Sequence, residues 1–443
     1  MREPAGVPSK MHLGKLSLGH SGRGQNDEDE THAASAQGHE EHFATRSARL
    51  DGGVAAWTQV GMAFLVVFST QGYFNSFGVF QSYYDMSLSH AGPSAVSWIG
   101  SVQVWLVFGL GTVSGRAVDA GRFHTVYIIG CFLQLAGIFI ASLAKEYWQV
   151  FLSHGVCVGL GAGLMFAPTL AVLTSYFLTR RSTALALTTC GGASGGAFFP
   201  LLVHHLIPRV GLSWTLRTVG FIMTATLLGA LALSRPRVTR QNSKQTFSFG
   251  VLKDTSYALF AVSSFFCFWA LYFGYYYKQL SAYARDELNF SYVESTMIVL
   301  ELNVVGIPIR LLVAYLADRH VHPQDVFLCS LFGAAVTLFC WIPVRTSTGI
   351  YVLTAFYGVV AGAIQTLFLA VASSFVTDHN VAGVYIGLVC TVVSFAALTG
   401  PPVGGAIVGQ HGRTYMNGEI WSGLSMMLSF FVLLLSRVRQ RAV

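Results

Sequence analysis

The chain has 443 residues, of which 11% are charged and 53% are hydrophobic, and its net charge is +7. A soluble protein carries about 25% charged residues, so this composition excludes a soluble globular protein. Residues 1–56 hold 14 of the 47 charged side chains, which leaves the rest of the chain still less polar. The composition predicts a membrane protein whose basic excess sets topology, with no nucleic-acid partner.

Residues 1–56 are the first predicted element, a polar tail rich in Gly, Ser, His and acidic residues. Its apolar content is too low for independent folding, so we expect a disordered cytoplasmic tail. The tail has no hydrophobic signal sequence, and we expect the first spanning helix to direct insertion. Its histidines lack the spacing of a zinc helix, so neither a metal nor another cofactor is expected.

Charge-free stretches mark the membrane crossings in the rest of the chain. A spanning helix needs about 17 residues, and continuously apolar runs favour helices over the alternating pattern of a β-barrel. Eleven charge-free stretches reach this length, at residues 52–84, 86–115, 123–144, 147–179, 182–208, 218–234, 255–277, 326–344, 346–377, 379–412 and 420–436. A twelfth apolar run, 295–317, is interrupted only by Glu301 and Arg310. The pattern predicts an all-α membrane protein with twelve transmembrane helices.

Positive charges are distributed unequally between the loops on the two membrane sides. The loops and tail segments on the side of both chain termini hold 15 Lys and Arg residues, and the opposite loops hold 7. Because cytoplasmic loops carry the excess of basic residues, both termini are predicted to be cytoplasmic, including the tail 437–443. We expect a multi-pass protein of the plasma membrane.

A polar linker at 235–255 divides the body into two six-helix halves, 57–234 and 256–436. The halves repeat at a constant offset of 199 residues. The recurring pairs include Gly159 and Gly358, Gly163 and Gly362, Tyr73 and Tyr272, and Asp119 and Asp318. An even number of helices between the copies makes the halves parallel, which places a substrate site near the membrane midplane between them. This organisation favours a transporter over a channel or an intramembrane enzyme.

Two segments resemble family motifs. The first is Asp51, Gly52 and Gly53 before the first helix, with Trp57 shortly after them. The second runs from Tyr176 and Phe177 through Arg180 and Arg181 to the glycines 191, 192, 195 and 196. In these residues the chain resembles the fungal branch of the monocarboxylate porter family, within the major facilitator superfamily. The resemblance implies the major facilitator fold and transport of a small organic acid or related metabolite by alternating access.

The segment from Gly115 to Arg122 resembles the superfamily's loop between the second and third helices. An acid at the end of one helix and a base on the next can latch the two halves together on the cytoplasmic side and release them during transport. The candidate latch residues are Asp119, Arg122, Arg180, Arg181, Asp318 and Arg319. Alternatively, the arginines only set topology.

Arg310 is the leading site candidate, because a charge within a spanning helix costs about 2.5–3.5 kcal/mol and normally marks a transport pathway. At 100° per residue, Asn303 shares its helix face, whereas Glu301 points about 180° away. The resemblance implies that Arg310 binds the substrate carboxylate. The alternative is an arginine that snorkels towards the cytoplasm or pairs with a structural acid.

Other polar and aromatic residues are candidates for the same cavity. The predicted substrate-binding set comprises Arg310, Asn303, Asn75, Gln71, Tyr272, Tyr276 and Gln365. An arginine beside amides and tyrosines suits an anionic or amphipathic molecule better than a sugar. Asn289 begins the chain's only glycosylation sequon, in a predicted outside loop, so the protein is a candidate glycoprotein.

Three functions agree with these residues. The family's proton symporters carry an acid and a lysine at positions that correspond to Gly306 and Asn75, and these uncharged residues favour efflux of a fungal secondary metabolite. The alternatives are proton-linked uptake of a monocarboxylate nutrient, with Glu301 as the possible proton carrier, and a transporter-like nutrient sensor. The chain has no Walker motif, so ATP is not expected as a partner.

Overall fold

A computed structural model describes residues 53–88, 92–177, 179–236, 254–275, 283, 290, 292–375, 382–409 and 415–442. The tail 1–52 lies outside the described residues, as does most of the linker 235–255. Two predicted site residues, Tyr276 and Asn289, also lie outside them.

The described residues form fourteen α-helices and one π-helical segment. They are α1 Val54–Asn75, α2 Phe77–Ser87, α3 Gly92–Gly109, α4 Gly111–Asp119, α5 Phe123–Ala141, α6 Tyr147–Val150, the π-helical segment Phe151–Cys157, α7 Val158–Thr174, α8 Arg181–Leu233, α9 Thr255–Tyr275, α10 Tyr292–Arg319, α11 Pro323–Trp341, α12 Ser347–Ser374, α13 Ala382–Gly409 and α14 Tyr415–Ala442. Helices are expected here, because in lipid they satisfy every backbone polar group internally.

Among these residues, eleven helical stretches are long and apolar enough to cross a membrane. The longest, α8, contains Gly211 with φ of 75°, a left-handed conformation that interrupts helical geometry and separates two crossings. The all-α fold with twelve crossings is therefore confirmed. The predicted outside loop at this point is shorter than expected, because Arg209 and Arg217 lie within the helical segments on either side of Gly211.

Several crossings contain local breaks. Ser76 separates α1 from α2, and its hydroxyl donates to the carbonyl of Tyr73. Leu110 separates α3 from α4 without a side-chain hydrogen bond. The fourth crossing begins with α6 and the π-helical segment before it continues as α7. These breaks divide the first, second and fourth crossings into shorter helical pieces.

The 199-residue repeat extends to the packing between helices. A Cβ added at Gly159 would lie 3.0 Å from the Cα of Gln103. A Cβ added at Gly358 would lie 3.2 Å from the Cα of Leu302, and both the glycines and their partners are 199 positions apart. The same close helix approach therefore occurs in each half. Between the halves, α10 packs against α8, while α3 and α4 pack against α13.

Candidate functional site

Arg310 lies within α10 and is only 1% exposed. Its Nη2 donates to Oε1 of Gln365 at 3.0 Å, and its Nη1 lies 3.5 Å from Oγ1 of Thr366, both on α12. No carboxylate lies within ion-pair distance of Arg310 among the described residues. Its buried Nε has no hydrogen-bond partner among them either. The guanidinium is thus held by neutral groups and retains an unused donor.

The contacts of Arg310 continue into the first half of the chain. Nε2 of Gln71, on α1, donates to the same Oε1 of Gln365 at 3.2 Å. Oγ1 of Thr366 lies 3.0 Å from Oγ1 of Thr189, on α8. All four partners are at most 9% exposed. We call these five residues the Arg310 cluster; they join the two halves through buried polar groups.

Two predicted residues meet beside Gly196 on α8. A Cβ added at Gly196 would lie 2.9 Å from Oδ1 of Asn303 and 3.3 Å from the Cβ of Asn75. The amide nitrogen of Asn303 donates to the carbonyl of Val299 on its own helix, at 2.9 Å. Asn75 and Asn303 therefore lie at the interface of the halves, where a glycine leaves room for them.

Tyr272 and Glu301 lie in different surroundings from the Arg310 cluster. Tyr272, on α9, is 7% exposed and packs against Phe268 with ring centroids 5.8 Å apart. Glu301 is half-buried on α10, within electrostatic range of Tyr351 on α12. Its Oε2 is buried without a hydrogen-bond partner in the described part of the chain.

Sequence reasoning did not identify Thr189 and Thr366 as members of this cluster. A threonine in a spanning helix normally satisfies its hydroxyl with a carbonyl of the preceding turn, so its position gives no signal. Thr189 does donate to the carbonyl of Ala186, at 3.0 Å, in addition to its contact with Thr366. The one sequence feature that points to Thr366 is its position directly after Gln365, a predicted site residue.

Contacts between the halves also occur where α1 begins and α14 ends, which we call the termini side. Asp318, near the end of α10, accepts hydrogen bonds of 2.9 and 2.8 Å from the backbone amides of Ser182 and Thr183, in the first turn of α8. A carboxylate suits this position, because the first amides of a helix lack internal partners and carry partial positive charge. Arg181 donates to the carbonyl of Ser373 on α12, at 3.0 Å.

The other predicted latch residues have different environments. The guanidinium of Arg319 lies over the ring of Tyr315 on the same helix, 5.1 Å from its centroid. Arg122 and Arg180 are exposed, whereas Asp119 is half-buried at the end of α4. Of the six predicted latch residues, the described contacts bring Asp318 and Arg181 into bonds between the halves.

Comparison with known proteins decides the family. The family model described as Major Facilitator Superfamily matches residues 60–401 of the chain. The chain belongs to the Major Facilitator Superfamily. Members of this superfamily are membrane transporters of small molecules, so the protein is a transporter and its two parallel halves are those of the major facilitator fold.

Fungal transporters are among the similar members of the superfamily. An MFS-type transporter of Gibberella zeae is 40% identical over 384 residues, which cover 86% of this chain and 85% of the relative. The agnestins efflux protein of Paecilomyces divaricatus is 30% identical over 381 residues, which cover 85% of this chain and 86% of the relative. The aspyridones efflux protein of Emericella nidulans is 30% identical over 383 residues, which cover 85% of this chain and 76% of the relative. The narrower monocarboxylate porter assignment stays a prediction.

Two solved superfamily structures resemble the described fold. The human organic anion transporter MFSD10 matches with a TM-score of 0.69, at 14% identity, over 85% of this chain and 99% of its own. The transporter FucP, solved in the outward conformation, matches with a TM-score of 0.63 at 14% identity, over 86% of this chain and 98% of its own. At this identity the likeness concerns the fold alone.

Proposed function

We propose that this transporter exports a small amphipathic organic acid, and that Arg310 binds the carboxylate of that acid. The observation that carries the proposal is a guanidinium that is 1% exposed, bonded to neutral residues and positioned where the halves meet. Such a group is costly in the membrane interior and normally marks a transport pathway. Its planar donors suit a carboxylate through two parallel hydrogen bonds.

Efflux of a fungal secondary metabolite is the proposed direction and cargo. Relatives named for agnestins and aspyridones efflux cover most of the chain. The resemblance to monocarboxylate porters adds that Gly306 and Asn75 replace the charges of the proton symporters. We assign the protein to a plasma membrane with the termini side in the cytoplasm, where Asp318 and Arg181 form the latch.

Proton-linked uptake is the second candidate function, and Glu301 is the observation in its favour. Glu301 is half-buried on the same helix as Arg310, and its Oε2 lacks a hydrogen-bond partner among the described residues. Flux that depends on a pH gradient in the wild type and loses this dependence in Glu301→Gln would support uptake. Flux that ignores the gradient would support export without proton coupling.

The test of the Arg310 role is transport in proteoliposomes with radiolabelled salicylate and, as the matched neutral probe, salicylamide. We expect Arg310→Gln to reduce salicylate flux at least tenfold, because the carboxylate loses its charge-assisted hydrogen bonds. Arg310→Lys should retain part of the flux, since it keeps the charge but loses the planar geometry. Wild-type salicylate flux in Arg310→Gln, at equal protein incorporation, would contradict the role.

A further inference from the structure

We propose that the side-chain carbonyl of Gln365 occupies the place of one substrate carboxylate oxygen, and that an arriving substrate displaces it. Gln365 would then be an internal stand-in for the substrate. In the empty transporter, its side-chain carbonyl accepts the hydrogen bond of Arg310 in place of the substrate. This inference rests on the proposed role of Arg310 as the anion-binding residue.

Convergent donors define the position of this oxygen. Oε1 of Gln365 accepts from Nη2 of Arg310 at 3.0 Å and from Nε2 of Gln71 at 3.2 Å. The two donors come from opposite halves of the chain, and all three side chains are at most 9% exposed. A carboxylate oxygen accepts two such bonds in the same way. The two donors around Oε1 are thus already arranged for an acceptor oxygen that bonds both halves.

The donors of the Arg310 guanidinium are only partly used. The Nε and Nη2 hydrogens of an arginine point in the same direction and together match the two oxygens of a carboxylate. At Arg310, Nη2 is occupied by the amide oxygen, whereas Nε has no hydrogen-bond partner among the described residues. A Cβ added at Gly306 would lie 4.0 Å from this Nε, so a glycine adjoins the unused donor. A carboxylate that accepts from both Nη2 and Nε would use the donor that the Gln365 oxygen leaves without a partner.

This difference selects the class of substrate. The bond from Arg310 to Gln365 joins a cation to a neutral amide, whereas a substrate carboxylate adds its own negative charge and can accept from two parallel N–H groups of the guanidinium. A carboxylate therefore gains enough to displace the Gln365 carbonyl, whereas a neutral amide or ester exchanges one neutral acceptor for another. The cluster consequently selects a carboxylate over its neutral analogue.

The stand-in also has a consequence for the transport cycle. An exporter must return empty after it releases its cargo, and a buried cation without any acceptor is strongly unfavourable. Gln365 supplies that acceptor from within the protein and, through Gln71, keeps the same connection between the halves. During exchange of one substrate for another, the transporter is loaded in both directions of the cycle. The substrate then supplies the acceptor for Arg310 throughout, and no empty return is required.

The experiment compares net flux with exchange in proteoliposomes loaded with radiolabelled salicylate. Net flux is measured into buffer without salicylate and exchange into buffer that contains it. We expect Gln365→Leu to lower the ratio of net flux to exchange at least fivefold and to lower the half-saturating concentration. Gln103→Leu is the matched control, because Gln103 is a buried glutamine on α3 outside the Arg310 cluster. An unchanged ratio of net flux to exchange in Gln365→Leu would overturn the stand-in role.

A second variant keeps the test decisive if Gln365→Leu does not fold. Gln365→Glu places a permanent carboxylate beside Arg310, and we expect it to raise the half-saturating salicylate concentration at least tenfold in exchange. An unchanged or lower value would overturn the stand-in role. Normal transport by Arg310→Gln would instead remove the proposed function itself, so the two failures are distinguishable.

Discussion

At the residue scale, Gly72 permits the close approach of α1 to α8. A Cβ added there would lie 2.5 Å from the Cα of Gly195, a backbone atom that cannot rotate away. We expect Gly72→Ala to destabilise the protein by about 1–3 kcal/mol, as overpacking does, and to lower its melting temperature in detergent. Intrinsic tryptophan fluorescence during heating measures the change.

Gly61 is the matched control, since it lies on the same helix and a Cβ added there would meet nothing within 4 Å. Gly61→Ala should leave the melting temperature unchanged or raise it, because alanine is the better helix former by about 0.5–1 kcal/mol. Equal losses in both variants would contradict the packing argument. The sequence placed Gly191 and Gly195 in a family motif, but the motif does not identify the helix that approaches them, so Gly72 was not predicted as their partner.

At the element scale, the start of α11 is held by a pH-sensitive cap. Nδ1 of His322 accepts a hydrogen bond from the backbone amide of Gln324, at 3.3 Å. Partial burial of the ring, followed by the nearby Arg437, lowers the pKa of His322 below its usual value of about 6.5. The unfolded chain therefore takes up this proton at a higher pH than the folded chain, and stability falls as the pH drops below about 6.5.

The variant His322→Asn retains a capping acceptor that does not titrate. A cap contributes about 1 kcal/mol, so we expect the wild type to lose about 1–2 °C more than His322→Asn between pH 7.5 and pH 5.5. The other titratable groups are common to both proteins, so the difference isolates this cap. Identical melting curves at both pH values would show that the cap does not respond to protonation.

The crossings were predictable from the sequence, whereas their internal breaks were not. Lipid excludes charge along each spanning segment, so charge-free runs located the helices, and Arg310, one of two exceptions with Glu301, identified the candidate site. The π-helical segment coincides with contacts to another crossing instead. Both ring nitrogens of the buried His154 in that segment bond tyrosine hydroxyls, at 3.1 Å to Tyr73 and 3.0 Å to Tyr84. Periodicity within one helix contains no information about such partners, and the same holds for Thr366 beside Arg310.

At the scale of the whole molecule, the second crossing and α13 close the termini side between the halves. A Cβ added at Gly387 would lie 2.3 Å from the carbonyl oxygen of Gly111, so the two backbones are in direct contact. Beside them, the hydroxyl oxygens of Thr112 and Thr391 are 2.7 Å apart. Alternating access requires this contact to separate in every transport cycle.

A disulfide between positions 112 and 391 tests that requirement. We expect Thr112→Cys with Thr391→Cys, in a Cys390→Ala background that removes a competing buried thiol, to cross-link on oxidation because the threonine side chains touch. The cross-linked protein should lose both net flux and exchange of salicylate at least tenfold, and a reductant should restore them. Each single cysteine variant, oxidised in parallel, controls for damage to the remaining thiols. Full exchange by the cross-linked protein would mean that this contact stays closed throughout the cycle, because even a loaded transporter must open this side to exchange its cargo.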